Sequence, residues 1–284
     1  MSAVRRWAAL TRRELLKLSR NPQAIITSLL LPILYLVLFG QGFNFTNLLN
    51  SNPFLTPAQK SQYLQQAFLG APDYFSYFSA GMVGFVAVTA TLFVGANVIF
   101  DKLFGSLKRV AASPATATDI FGARLVAGSL QPVGLAFLVL GLSILLGNLG
   151  LAGLHISVAV SVIGAAEVVV AILLLSVMFA SLFLSLGFTI EQPQTYFAVV
   201  NAINLPVLLT SAALYPWGLM PVWLQTIASY NPVTLAVWVL RINFFGDAFY
   251  AYPAWVYLAG LFVWAVAMFS VATLLTRRAL APRK

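Results

Sequence analysis

Apolar residues in this chain run in long blocks, and the polar residues gather between them. A helix that crosses a bilayer needs about 20 mostly apolar residues. Six blocks meet that length: 24–41, 74–100, 122–147, 156–187, 195–215 and 254–276. The fourth is longer than a straight crossing requires, which predicts tilt or projection beyond the bilayer. The first twenty residues follow another rule. Val4, Trp7, Ala8, Thr11, Leu15 and Leu18 recur at helical spacing, and Arg5, Arg12, Arg13, Lys17 and Arg20 fill much of the rest. That pattern predicts an amphipathic helix lying in the headgroup layer. It stops at Asn21, because the residue before Pro22 avoids the helical region. Residues 215–246 are rich in Trp, Tyr and Pro, and Pro216, Pro221 and Pro232 divide them into short helices. Trp and Tyr favour membrane interfaces, so these helices are expected to dip into the outer leaflet without crossing it.

The expected fold is all-α: a polytopic membrane protein with six transmembrane helices, an N-terminal interfacial helix and re-entrant extracellular helices between spans five and six. It forms one domain over 1–284. Residues 1–22 are the cytoplasmic surface helix, 24–276 the six-span bundle and 277–284 a cytoplasmic tail.

Composition narrows the chemistry. The chain is 61% hydrophobic and 8% charged, whereas soluble domains carry about 25% charge. Mean hydropathy is +0.91. The absence of cysteine excludes disulfides, thiolate metal sites and cysteine nucleophiles. The one histidine, His155, forms no histidine cluster and reads as a loop residue at the outer end of span four. No catalytic and no metal-binding residue is assigned. The N-terminus does not read as a cleavable signal, because charge extends to Arg20 and no small-residue cleavage site follows a short apolar core. Asn44-Phe45-Thr46 fits a glycosylation sequon, a pattern short enough to arise by chance.

A net charge of +9 suggests nucleic acid until the cations are placed. Six precede the first span (Arg5, Arg6, Arg12, Arg13, Lys17, Arg20). Four lie in or beside the second-to-third connection (Lys102, Lys108, Arg109, Arg124), and four end the chain (Arg277, Arg278, Arg283, Lys284). Only Lys60 and Arg241 fall elsewhere. With six spans the three basic regions share one side, which the positive-inside rule makes cytoplasmic, together with both termini. The charge is therefore an orientation signal, and nucleic acid is not an expected partner.

Within the blocks, Pro32, Pro132 and Pro206 each remove a backbone hydrogen bond and permit a bend. Gly81, Gly84, Val88, Thr91 and Gly95 share one face of span two, a small-residue surface for close helix contact. In span five, Asn201, Asn204, Leu208, Ser211 and Tyr215 follow one stripe. Amides in lipid need polar partners or water, so the stripe is either interhelical hydrogen bonding or the wall of a translocation path. Glu167 is the only carboxylate well inside a predicted span, and it is either functional or protonated and structural.

Four stretches taken together resemble the permease subunits of type-2 ABC exporters, a group that includes bacterial drug, antibiotic and polysaccharide exporters. They are LSRNPQAIITSLLLPILYLVLFG, YFSYFSAGMVGFVAV, FGSLKRVAASPATATDIFGARL and LTSAALYPWGLMPVWLQTIASYNPVTLAVWVLR. They occur in family order over nearly the whole chain. Two departures stand out: Ala80 occupies a position where the family often has Pro, and the charged residues before the cytosolic Gly are reduced to Asp101-Lys102.

The resemblance implies a dimer, with a second copy or a paralogue, in the plasma membrane. It also implies two ATP-binding subunits on the cytoplasmic side and export of an amphipathic or lipid-linked molecule such as a drug, lipid or glycan. The chain has no G-x-x-x-x-G-K-[ST] loop, so ATP and Mg are expected on the partner ATPase and no cofactor on this chain. The path would be lined or gated by spans one, two and five and the outer re-entrant helices, with Tyr35 and Phe39 joining Glu167, Asn201, Asn204, Leu208, Ser211 and Tyr215. Leu103, Phe104, Leu107, Val110 and Ala111 make one face of a short helix, with Lys102, Lys108 and Arg109 around it. Ser113-Pro114 stops that helix, and Thr116 caps the next with Asp119 three residues on. In the family such a helix docks on the ATPase. An ATP-independent transporter and a structural membrane scaffold remain as alternatives, whereas seven scattered acids do not make an intramembrane enzyme.

Overall fold

The computed structural model describes residues 8–14, 16, 22–42, 56–106, 116–148 and 160–280. Leu107, Lys108, Arg109 and Val110 of the expected ATPase contact, His155 and the Asn44 sequon lie outside the described residues. Residues 8–14 are helical. Nine longer helices follow in the described chain: α1 Pro22–Gly42, α2 Pro57–Ala67, α3 Tyr74–Leu103, α4 Ala117–Asn148, α5 Val162–Thr189, α6 Pro193–Leu209, α7 Val222–Tyr230, α8 Pro232–Phe245 and α9 Ala254–Leu280. A 3-10 turn at Trp217–Leu219 precedes α7.

Local chemistry sets many of these boundaries. Pro22 opens α1, and Pro is suited to a first helical position, where its missing N–H has no partner to lose. Asp73 accepts the Ser76 N–H at 2.7 Å and starts α3. At α4 the expected box is present: Thr116 Oγ1 accepts from the Asp119 N–H (3.2 Å) and an Asp119 carboxylate oxygen accepts from the Thr116 N–H (3.0 Å). Ser161 Oγ caps α5 through the Gly164 N–H, and Asn231 caps α8 through the Val233 N–H.

Four of the helices, α3, α4, α5 and α9, are long and apolar enough to cross a membrane. Helix α3 is the central one and packs against α1, α4, α5, α6 and α8. Its small-residue face is a packing surface, as the sequence predicts. A Cβ at Gly81 would collide with the Ala213 carbonyl, and one at Gly95 with the Phe183 carbonyl and the Tyr196 hydroxyl. Helix α9 lies against α5 and α8 and leaves Trp255, Phe262, Val263 and Leu274 exposed, a face suited to hydrocarbon.

Two spans differ from expectation. Helix α5 begins at Val162 rather than at 156, because Ser161 caps it there. Glu167 is therefore in the second turn of its helix. The fifth block, 195–215, is helical only to Leu209. Beyond Thr210 the carbonyls turn away to other partners: those of Ala212 and Ala213 accept from Arg241, and Tyr215 lies in the same turn.

Candidate functional site

The two ends of α3 carry different chemistry. At the Leu103 end, acids and bases pair between elements. Arg124, on the second turn of α4, is buried, and its Nη2 meets Asp101 Oδ2 at 2.6 Å. The other oxygen of Asp101 accepts from Ser106 Oγ at 2.7 Å. Arg124 Nε lies 3.9 Å from Glu14, which also faces Arg13 at 3.5 Å. A small cleft lined by Glu14, Asn97, Arg124 and Gln131 together with Val94 and Ala127 opens beside this cluster. The N-terminal helix thus turns Leu10, Thr11 and Glu14 toward the bundle and leaves Ala8 exposed. The inward face is rotated from the predicted apolar stripe. Leu10 packs beside Val94, Val98 and Phe121, and the buried Arg124 draws Glu14 to the same side.

Lys102 reaches the opposite way. Its Nζ donates to the carbonyls of Phe188 (2.6 Å) and Ile190 (3.0 Å), which end α5 and begin the turn into α6. A cation here meets the negative end of the α5 dipole and supplies donors that the last carbonyls of a helix lack. Lys102 is therefore not a rim charge on a surface helix. Leu103 is the last residue of α3 and Phe104 its cap. Gly105 follows at φ +70°, a left-handed conformation that glycine adopts without strain. Leu103 and Phe104 are 58% and 78% exposed, so this apolar pair projects from the end of the membrane helix.

At the Tyr74 end the organising residue is Arg241 of α8, 0% exposed. Its Nη1 donates to the Ala212 carbonyl (2.8 Å) and its Nη2 to the carbonyls of Tyr77 (2.9 Å) and Ala213 (3.2 Å). The guanidinium carbon sits 3.4 Å above the Tyr77 ring centroid, a cation–π stack that desolvation strengthens. The Tyr77 hydroxyl lies 3.1 and 3.0 Å from the Ala212 and Tyr215 carbonyls and accepts the Trp217 N–H at 3.1 Å. Thr234 Oγ1 accepts the Ala212 N–H. Asn231 Nδ2 donates to the Val207 carbonyl and to Thr210 Oγ1. The turn after α6 is thereby fixed to α3 and α8. Among the described residues, Arg241 Nε, Trp238 Nε1 and the Tyr250 hydroxyl are buried without a hydrogen-bond partner. Burial pushes the Tyr250 phenol far above its ordinary range.

The residues expected to line a path separate into two groups. Asn204 (4% exposed), Leu208 and Ser211 face the bundle. Asn204 Oδ1 is buried there without a partner, and Ser211 Oγ donates to the Leu208 carbonyl. Asn201 and Tyr215 are exposed, on the side that also bares Leu205 and Leu209. Tyr35 packs edge-on to Phe39 and Phe85, and Phe39 stacks on Phe78, which joins α1 to α3. Glu167 is apart from all of these. Its carboxylate accepts from Asn243 Nδ2 at 2.9 Å, linking α5 to α8. Sequence reasoning did not single out Arg241 or Tyr77. The available signal was one arginine in a segment otherwise free of charge from 195 to 246.

Comparison with known proteins agrees with this architecture. Proteins named "Putative transport permease ycf38" are similar to the chain. Those of Porphyra purpurea and Pyropia yezoensis are each 29% identical, over 82% and 83% of this chain and 72% of their own lengths. That of Cyanophora paradoxa is 28% identical over 89% of this chain and 77% of its own length. The family model described as ABC-2 type transporter matches residues 5–245, so the chain belongs to the ABC-2 type transporter family of membrane permeases.

Proposed function

We propose that the chain is the transmembrane subunit of an ATP-driven exporter that moves an amphipathic or lipid-linked molecule out of the cytoplasm or the inner leaflet. A separate subunit binds ATP and Mg and docks on the segment 102–114. The supporting observation is the exposed pair Leu103 and Phe104 at the end of α3, with Lys108 and Arg109 four and five residues beyond Phe104 in the sequence. An apolar knob followed in sequence by basic residues suits a desolvated pocket on a soluble partner, with the charges steering from the rim. Family membership makes an ATP-binding subunit the natural partner.

In this reading the chain crosses the plasma membrane six times, by α1, α3, α4, α5, α6 and α9, with both termini cytoplasmic. The helices α7 and α8 are re-entrant from outside. Two permease copies, or this chain and a paralogue, pair through the apolar faces that α1 and α6 leave open, where Leu34, Leu38, Leu205 and Leu209 are exposed. The path runs between them past Asn201, Tyr215 and the Tyr35–Phe39 pair.

The test is capture of a purified ATP-binding subunit of this transporter family, with matched permease levels. Phe104→Ala with Leu107→Ala is expected to leave insertion intact and to weaken capture by about 2 kcal/mol or more, the usual size for a truncated apolar anchor. Lys108→Ala should give a smaller, salt-dependent loss. Capture of the double variant at wild-type strength would reduce the segment to a topology loop.

A further inference from the structure

The adjacent residues Asp101 and Lys102 end α3 by reaching in opposite directions. Asp101 holds Arg124 of α4 and Ser106 of the outgoing chain. Lys102 holds the carbonyls of Phe188 and Ile190, where α5 passes into α6. Between them these contacts bracket the start of the segment 103–116, and they do so with charged groups. The Asp101–Arg124 pair is buried at both ends, with 9% and 6% of the side chains exposed. Charge-assisted hydrogen bonds of 2.6 Å are short and directional. Phe188 lies in the last turn of α5 and Ile190 is its cap, where carbonyls run out of helical donors, and Lys102 supplies one to each. The connection from α5 to α6 is short: Thr189 ends one helix and Pro193 begins the other. A displacement at Phe104 therefore has a stiff route to the first turn of α6, whose far end is the turn clamped by Arg241.

We propose that Lys102 is a positioning residue, a strut that transmits movement of the cytosolic segment to α6 through the α5 terminus, while Asp101 transmits it to α4. The proposal rests on the function proposed above, because it takes the cytosolic segment as the place where force enters. It adds the route inward. A strut has a property that simple stabilisation lacks: its loss leaves the ends of the route intact and disconnects them.

The absence of cysteine from the natural chain makes site-directed spin labelling direct. One labelled pair, Phe100→Cys with Gln194→Cys, joins an exposed position near the end of α3 to an exposed position on the first turn of α6. A second, Tyr63→Cys with Leu209→Cys, joins exposed positions on α2 and at the far end of α6. Distances are measured by pulsed EPR in the full permease, alone and with its ATPase trapped by ATP and vanadate. In the wild-type background the first pair should give one narrow distance, and the second should shift on trapping. Lys102→Met should broaden the first distribution, and abolish the shift in those permeases that have captured the ATPase. Lys102→Arg, which keeps the charge and the donors, should restore both.

If Lys102→Met retains the narrow first distance and the full shift, the strut is wrong. If Lys102→Met and Lys102→Arg are equally impaired, carbonyl capping by the cation is not the cause and the proposal also falls. A wild-type permease that captures no ATPase, or shows no shift on trapping, would instead overturn the exporter reading. In that case the width of the first distance in the permease alone still decides whether Lys102 holds the two helices together.

Discussion

Arg241 is fully buried with its guanidinium among backbone carbonyls and an aromatic face, and the balance of terms explains how. An unpaired buried cation is costly. Here three backbone carbonyls and the face of Tyr77 surround it, and two of those carbonyls, at Ala212 and Ala213, have left the α6 ladder. Cation and carbonyls therefore depend on one another. Removing the arginine takes a donor from three buried carbonyls, and an acceptor left without any costs about 1–3 kcal/mol. Arg241→Met is predicted to lower the thermal unfolding midpoint of the purified permease clearly, and Arg241→Lys to recover only part. A lysine has the charge but not the planar fork that serves two carbonyls on one side and a ring face on the other. Unfolding of Arg241→Met at the wild-type temperature would show that the carbonyls find other donors. Asn204 gives the complementary case. Its Oδ1 is already unsatisfied, so Asn204→Leu should cost no stability, and a selective loss of transport in that variant would assign the amide to the path.

At the scale of elements, close approach is decided by single atoms. Gly81 has the Ala213 backbone against it, whereas Gly134 and Gly141 of α4 face open space. Adding one methyl group therefore has opposite predicted outcomes. Gly81→Ala should push the turn after α6 off α3 and reduce the folded yield. Gly134→Ala should be neutral or stabilising by up to about 1 kcal/mol, the helix preference for Ala over Gly. Fluorescence-detected size exclusion on detergent extracts separates the two, and equal profiles would contradict the packing. The same contrast shows what the sequence makes legible. Glycines at helical spacing announce a packing face without naming its partner. Caps such as Thr116 with Asp119 are local, so the start of α4 can be read directly. The end of α6 cannot be read that way, because what draws its last carbonyls away is Arg241, about thirty residues downstream. Lys102 misleads for the same reason. Its spacing fits the rim of a surface helix, but its partners are 86 and 88 residues away. Among the expected path residues, burial of Asn204 and Leu208 and exposure of Asn201 follow from which face of α6 meets α3, a choice that composition does not carry.

For the molecule as a whole, the two ends of the bundle differ in how they hold positive charge. At the Leu103 end, Arg12 and Arg13 are exposed, and the sequence adds Lys108, Arg109 and the C-terminal cluster. At the Tyr74 end, among the described residues, Arg241 is sealed inside the protein and Lys60 is the one cation near the surface. Because exposed lysines and arginines near the spans govern insertion, burial of Arg241 sharpens the asymmetry beyond what a simple count suggests. The expected topology is six crossings with both termini in the cytoplasm and α2 outside. Alkaline phosphatase fused after residue 60 should be active, which requires export, while the same enzyme fused after residue 284 should be inactive and a fluorescent protein there should fold. Four crossings, by α3, α4, α5 and α9 alone, would also leave the two termini on one side, so the C-terminal fusion does not distinguish the models. The discriminating fusion is one after residue 60 paired with one after residue 20. Opposite readings require α1 to cross, and identical readings would return α1 to the interface and overturn the six-span arrangement.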